Sequence, residues 1–433
     1  MMSIEKLFKL RENQTSVRTE ILAGLTTFVT MAYILAVNPN ILSQTGMDQG
    51  ALFTSTAVAA FVGTACMAFI ANLPFALAPG MGLNAFFTYT VVMDMGASWQ
   101  FALTAVFLEG LLFILLTLTR VREIIVNAIP VSIKNSISVG IGFFIAFIGL
   151  FGSGIIVQGD GVPITLGNLL EPNAIVAVLG IIITAVLVIK KVNAAILIGI
   201  LASTVLGFLF GVTKLPSSII SMPPSIAPIF MKFEWNNIFS ADMLIVMMTF
   251  LFVDMFDTIG TLVGVSAKAN MLDKNGNIPK AREALLADAL GTTAGAILGT
   301  STVTVYVESA SGVSQGGRTG LTALSAGVFF LIALIFSPIF LSIPTAATTP
   351  ALVVVGLYMM APIKNIDLED WTEALPAFLT MIIMPFGYSI AQGIVFGIIS
   401  YVALKIFSGR AKGVSPVLYV LAALFILKII AGI

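Results

Sequence analysis

Carboxylates stand inside apolar stretches of this 433-residue chain: Glu109 in FALTAVFLEGLLF, Asp254 and Asp257 in FLFVDMFDTIGTLVG, Asp288, and Glu308 in TVYVESASGV. An ionised carboxylate in a membrane interior costs roughly 2.5 to 3.5 kcal/mol even on insertion scales, so such groups are rare and face the inside of a bundle. The chain has no histidine and a single cysteine, Cys66. That removes the commonest metal ligand and proton shuttle, an internal disulfide and a multi-cysteine metal site; no cofactor is implied. Any proton the protein moves must ride on carboxylates. Two of them close together in low dielectric cannot both ionise cheaply, so one can take a proton on one side of a membrane and release it on the other. This is the chemistry of proton symport for a neutral, hydrogen-bonding solute.

The elements that hold these acids are apolar spans. The sequence is 58% hydrophobic and 10% charged, far above the soluble norm of roughly half apolar, so the expectation is an all-α polytopic membrane protein. A helical span needs about 20 apolar residues, which leaves no room for a sizeable soluble domain. The lead-in, residues 1–19, is charged and amphipathic without a small-residue cleavage site, so it reads as cytoplasmic rather than as a signal peptide. Zero formal net charge gives no sign of a nucleic-acid partner.

Apolar runs between charges place a first set of seven spans between Glu20 and Val212, and a second between Asp242 and Ile406. A last apolar run, Pro416 to Ile430, is either a short span or a re-entrant hairpin. The third span contains NLPFALAPGMGLNAFFTYT, with two prolines and two glycines, costly inside a helix. The tenth, GTSTVTVYVESASGVSQGGRTG from Gly299, combines β-branched residues, Glu308 and a Ser/Gly run. Both read as broken spans, the best pointer in a sequence to a transporter's binding site. IPVSIKNSISVG from Ile129 and IPTAATTPALVVVG from Ile343 are matching landmarks. Because seven is odd, the second set enters the membrane upside down, giving two inverted repeats of seven, about fourteen spans in all, whose site lies where the broken third and tenth spans meet. With the N-terminus inside, only Lys214, Lys232 and Lys428 of the 21 basic residues fall outside, as the positive-inside rule asks.

Asp254 and Asp257 sit three apart on neighbouring positions of one helix face. Asp257, the more central, reads as a ligand; Asp254 either joins it or holds the helix to its neighbour. Gly260 and Gly264 form a small-xxx-small pair that permits close helix contact. Glu109 suits an interhelical hydrogen bond and Asp288 the membrane interface, while Arg318 is expected to snorkel to the cytoplasmic surface. On the third span, Gly82 and Asn84 share the element that should face Glu308. An Asn amide offers donors and an acceptor to a heterocycle's edge or else caps the half-helix. Tyr33, Phe86, Phe87 and Tyr306 could stack on a planar ligand.

Four ordered stretches, TTFVTMAYILAVNP from Thr26, ALAPGMGLNAFF from Ala76, FVDMFDTIGTLVG from Phe252 and TVYVESASGV from Thr304, carry a resemblance over nearly the whole chain. The sequence resembles the nucleobase transporters of the uracil/xanthine permease superfamily, and within it the AzgA-like hypoxanthine/guanine/adenine permeases. The resemblance implies a core domain of spans 1–4 (residues 20–120) and 8–11 (239–341). It implies a gate domain of spans 5–7 with their connector (121–238) and 12–14 with the C-terminal segment (342–433). It also implies that Asp257 and Glu308 bind substrate and carry the proton, and that Gly82, Asn84, Tyr306, Val307, Thr30 and Thr261 line the base site. Asp254 and Glu109 are then supporting residues. Where the uracil branch has a histidine four positions after the eighth-span acid, this chain has Thr261.

The function expected is import of hypoxanthine, guanine or adenine by proton symport in a cell membrane, with a homodimer through the gate domain as in relatives. The alternatives are an anion transporter of the sulfate/bicarbonate type on the same fold, disfavoured because an acid would face the anion, and sodium-coupled nucleobase uptake. With no nucleophile–base pair, an intramembrane enzyme is not expected.

Overall fold

The computed structural model describes residues 4–119, 130–216, 218–268, 271, 278 and 280–431. The basic link at Arg120 and Arg122 and most of the polar loop between Lys268 and Lys280 lie outside them. The first half runs α1 (Ile4–Leu7), α2 (Val17–Met31), α3 (Ile34–Leu42), α4 (Gln49–Cys66), β1 (Leu77–Pro79), α5 (Met81–Ala85), α6 (Trp99–Thr119), α7 (Val131–Gly152), a small hairpin of β2 (Ile156–Val157) and β3 (Thr165–Leu166), α8 (Pro172–Ile189) and α9 (Ala195–Leu209). After a connector come α10 (Ala241–Lys268), α11 (Ala281–Leu298), β4 (Val303–Val305), α12 (Ser309–Ser314), α13 (Gly320–Ala333), α14 (Ser337–Leu341), α15 (Thr345–Met359), α16 (Trp371–Phe386), α17 (Ile390–Phe407) and α18 (Pro416–Ala431). Among the described residues nine helices are long and apolar enough to cross a membrane, and α9 and α16 are shorter apolar helices. The protein is an all-α multi-pass membrane protein. The run from Pro416 is a single helix of 16 residues, not a re-entrant hairpin.

Both expected breaks are present, and they meet. β1 and β4 pair antiparallel, with Ala78 opposite Thr304, and each leads into a half-helix, α5 or α12. The pairing extends at its ends through Gly80 N to Thr302 O at 2.9 Å and Tyr306 N to Ala76 O at 3.1 Å. Two strands alone leave outward backbone groups unpaired, which a membrane does not tolerate. Side chains supply the missing partners. Thr64 of α4 accepts from Leu77 N at 2.9 Å and donates to Leu77 O at 3.0 Å. Ser309 accepts from Ala76 N at 3.0 Å, and Thr292 of α11 donates to Val303 O at 2.9 Å. Close packing of α4 and α11 on this ladder needs glycine, since a Cβ at Gly63 would come within 2.9 Å of Val303 Cγ1, and one at Gly291 within 3.0 Å of the Gly63 Cα.

The repeat is also visible between α7 and α15. Each starts after a proline in extended backbone, Pro130 or Pro344. They cross where Gly142 and Gly356 face each other, and a Cβ on either would meet the other's carbonyl oxygen at 2.5 Å.

Glu20 is fully buried in the first turn of α2 and caps a helix 300 positions away in the chain. Its carboxylate accepts from Arg318 N at 3.0 Å, from Thr319 N and Oγ1 at 3.2 and 2.8 Å, and from Thr322 N and Oγ1 at 3.1 and 2.6 Å. It thereby satisfies backbone donors that open α13, as a capping carboxylate does, and joins the first span to the end of the broken tenth. Replacing it by Ala strands those donors in a buried site, at a cost on the order of 3 kcal/mol. Glu20→Ala is expected to melt several degrees below wild type in a detergent thermal-shift measurement, with Glu20→Gln in between; an unchanged melting temperature would contradict the capping role.

Candidate functional site

The broken spans floor a cavity of about 400 Å³, within the range of small-molecule sites. Its walls come from both sets of spans. Tyr33, Gly82, Asp257, Thr261, Tyr306, Val307 and Glu308 line it, and α7 contributes Lys134, Asn135 and Ile141. Glu308 is the residue immediately before α12, so the strand-to-helix turn delivers its carboxylate to the cavity. Tyr33, at the break between α2 and α3, donates its hydroxyl to Glu308 Oε1 at 2.6 Å. Asp257 arrives from the middle of α10, with Thr261 one turn further along. The Tyr306 hydroxyl donates to Pro79 O at 2.5 Å, tying the two breaks together, so its ring is a wall fixed in place. Gly82 leaves room for the opposite side, since a Cβ there would approach Ile141 Cγ2 to 2.7 Å.

Two residues named from the sequence are placed elsewhere. Asn84 is fully buried and its Oδ1 accepts from Ser301 Oγ, which ties α5 to the segment before β4; it is not among the cavity-lining residues. The Thr30 hydroxyl donates to the backbone of its own helix, at 3.0 Å to Thr26 O and 2.8 Å to Thr27 O, and it too is outside the lining. Phe86 and Phe87 are fully buried, and Phe86 packs edge-on to Phe250 with ring centroids 4.7 Å apart. Of the aromatics suggested for stacking, Tyr33 and Tyr306 reach the cavity.

Other expectations are corrected. Gly260 and Gly264 are exposed and line the cavity, and a Cβ on either would meet nothing within 4 Å, so they keep the mouth wide instead of allowing helix contact. Arg318 turns back onto the end of the broken span, donating to Val313 O and Gly317 O at 2.8 Å each. It therefore satisfies half-helix carbonyls and does not snorkel.

Asp288 is fully buried rather than interfacial. The Thr258 hydroxyl is the centre of its surroundings. It lies 3.1 Å from both Asp288 oxygens, 3.3 Å from Asp254 Oδ1 and 2.7 Å from Thr304 Oγ1. Asp254 and Glu109 are fully buried as well. Asp254 thus holds α10 within a polar knot with α11 and β4, while Asp257, one turn away, turns to the cavity. Sequence reasoning could have found Asp288 by pairing it with Asp254, since a buried acid implies buried partners.

A cavity floored by two crossed, broken spans and walled by both sets defines a membrane transporter of the inverted-repeat kind, not an enzyme. A family model described as "Permease family" (Xan_ur_permease) matches residues 18–396, and the chain belongs to that family. It is 47% identical over 439 residues to the guanine/hypoxanthine permease PbuG of Bacillus subtilis, covering 99% of each chain. It is 42% identical over 427 residues to the adenine permease AdeP of Escherichia coli, covering 99% of this chain and 96% of that one. Among solved structures, the transmembrane domain of the cyanobacterial bicarbonate transporter BicA shares the fold with a TM-score of 0.65 at 16% identity, over 88% of this chain and 97% of that one.

The knot around Thr258 yields a test. Thr258→Val removes the hydroxyl that Asp288 and Asp254 share, and an unmet buried acceptor costs about 1–3 kcal/mol. The valine variant is expected to melt below wild type, whereas Thr258→Ser, which keeps the hydroxyl, stays near it; equal stability of the two would remove Thr258 from the centre of the knot.

Proposed function

We propose that this permease imports purine nucleobases (hypoxanthine, guanine or adenine) by proton symport across the cell membrane. The observation that carries the reading is the placement of two membrane-embedded carboxylates, Asp257 and Glu308, in one cavity beside the meeting point of the broken spans. The names of the relatives supply the substrate class. Residues 20–120 and 239–341 act as a core domain that carries the site. Residues 121–238 and 342–433 act as a gate domain against which the core slides, and the cavity mouth near Lys134 faces the cytoplasm.

In this reading a protonated carboxyl and its ionised neighbour offer a donor and acceptors to the edge of a base, and Tyr33 holds the Glu308 carboxylate at a fixed angle. Tyr306 and Val307 form the wall against which the ring lies, with Gly82 allowing close approach and Thr261 adding a hydroxyl. Asn84 and Thr30 act from behind, by fixing α5 and α2. Proton release on the inner side leaves the acids charged and acceptor-only, which weakens the hold on a base that needs a donor. An anion in this cavity would face two carboxylates against one ammonium, so charge favours a neutral base over the bicarbonate of the fold relative.

The test is uptake of radiolabelled hypoxanthine into proteoliposomes under an inward proton gradient in sodium-free buffer. Accumulation that a protonophore collapses is expected; accumulation only with sodium would reassign the coupling ion. Glu308→Gln and Asp257→Asn are expected to lower uptake at least about a hundredfold, of the order seen when an interaction specific to a catalytic step is removed, while membrane insertion is retained. Glu109→Gln, away from the cavity, is expected to change expression more than uptake, and near-normal transport by Glu308→Gln would remove Glu308 from the site.

A further inference from the structure

We propose that the connector between the two sets of spans, from Ser221 to Glu234, is a strap that rides with the core domain, so that the chain passes from gate to core between Thr213 and Ser221. The proposal rests on the core and gate division above and moves its boundary, since by sequence the connector falls in the stretch 121–238 given to the gate.

Among the described residues, every hydrogen bond that the strap makes outside itself goes to a core element. Ser221 N donates to Ile335 O at 3.0 Å, and the Ser221 hydroxyl lies 2.9 Å from that of Ser337, the first residue of α14. That short helix sits on the core, with Phe340 against Phe53 of α4 at a centroid distance of 5.6 Å. Thr54 of α4 donates to Pro224 O at 2.8 Å. Further along, Met231 N donates to Ile297 O of α11 at 2.9 Å, and Glu234 N to Thr104 Oγ1 of α6 at 2.8 Å. Apolar groups follow the same route. Ile229 is buried against Gly299, where a Cβ would come within 2.6 Å of Ile229 Cγ1, and Phe233 packs on Phe107 of α6 with centroids 4.8 Å apart. The strap thus ties together the starts of α4 and α6 and the ends of α11 and α13, elements well separated in the chain.

The gate side is anchored separately. α9 lies so close on α8 that a Cβ at Gly199 would meet Thr184 Oγ1 at 1.9 Å. Its end closes on itself, since Val212 N and Thr213 N return to Gly207 O at 2.8 and 3.1 Å and Gly211 turns with a φ of 71°. Between the two anchors the hold is lost. Lys214, Leu215, Ile219 and Ile220 are exposed, no hydrogen bond joins 214–216 or 218–220 to either domain among the described residues, and Pro216 has no N–H with which to continue α9. Chain with so few buried contacts opens at low cost and is where a hinge absorbs backbone rotation. A strap bonded along its length to one body follows that body.

The experiment uses the full-length protein in proteoliposomes with Cys66→Ser as background. Met222, Phe69 and Leu170 are exposed positions on strap, core and gate. Spin labels on the Met222→Cys/Phe69→Cys and Met222→Cys/Leu170→Cys pairs are compared by double electron–electron resonance with and without hypoxanthine. The strap-to-core distance is expected to stay fixed while the strap-to-gate distance shifts. A moving strap-to-core distance overturns the proposal, and two fixed distances overturn the sliding of the domains on which it rests. A second arm reads transport: Ser221→Cys/Ser337→Cys brings two thiols to positions now 2.9 Å apart, close enough to form a disulfide with little movement. With closure checked by thiol labelling, the oxidised protein is expected to keep the hypoxanthine uptake of its reduced form. Uptake lost on oxidation and restored by reductant overturns the strap's place in the core. Gly50→Cys/Pro224→Cys, whose Cβ atoms would stand 3.0 Å apart, serves if the first pair stays open, and failure of both to close also overturns it. A wild type without hypoxanthine uptake overturns the nucleobase reading and leaves the distance measurement to judge the strap.

Discussion

A backbone that leaves the helix in the middle of a membrane must find a partner for every N–H and C=O it frees, and the architecture is arranged around meeting that demand twice at one place. β1 and β4 meet part of it for each other. The remainder falls to hydroxyls that could otherwise have been apolar: Thr64 from α4, Thr292 from α11 and Ser309 at the start of α12. Asn38 adds a further tie, donating to Thr56 at 2.6 Å and to Thr300 at 3.0 Å, so the first, second and tenth spans are bound to one another beside the ladder. Glycines at Gly63 and Gly291 let these helices come close enough for the short side chains to reach.

The site depends on this splint because Glu308 has no other means of being held where it is. It stands three positions after the end of β4 and precedes a half-helix of only six. Its neighbour Tyr306 is bonded across the ladder to Pro79, and the far end of the broken span is fixed by the buried Glu20 carboxylate. Polar groups on this side of the molecule thus divide into two kinds. Asp254 and Asp288 are fully buried around the Thr258 hydroxyl, and Glu20 is fully buried among the backbone and hydroxyl donors that open α13, so these acids hold structure together. Asp257 and Glu308 reach open space, and can exchange partners.

This division also accounts for what the sequence made legible. Breaks announce themselves through residue type, since Pro79, Gly80 and the Ser/Gly run after Glu308 are incompatible with an uninterrupted helix, and an acid within such a break is conspicuous. The mirrored prolines at 130 and 344 are legible for the same reason. Partners were not. Nothing in the local string around Glu20 distinguishes it from an ordinary first-turn acid, because its donors lie some 300 residues away. Asp288 looked interfacial by its distance from the charged loop, whereas tertiary packing draws it inward to Thr258. Asn84 suggested a ligand contact, but the structure gives its carbonyl to Ser301. Lys134 was legible as a positive charge near a membrane surface, and only the placement of α7 against the cavity turned it into a wall residue.

The same helix also carries an aromatic contact between the two sets of spans, away from the cavity lining. Phe144 lies ten residues beyond Lys134 on α7, about 15 Å further along its axis. There it packs edge-on against Tyr89 and Tyr388, with ring centroids 6.4 and 5.5 Å apart, and Tyr89 and Tyr388 are themselves 5.8 Å apart. Tyr89 belongs to the extension of the broken third span and Phe144 to α7, both in the first set, whereas Tyr388 lies between α16 and α17 in the second, so the three rings meet across the boundary between the sets. Asn40 adds a hydrogen bond across it, to Ile343 O at 3.2 Å. Aromatic edge contacts of this kind are worth about 0.5–1.5 kcal/mol each beyond the area they bury. Contacts of that size are firm enough to hold one arrangement of the helices and weak enough to be exchanged for another. A transporter that must present one site to two sides needs such a balance.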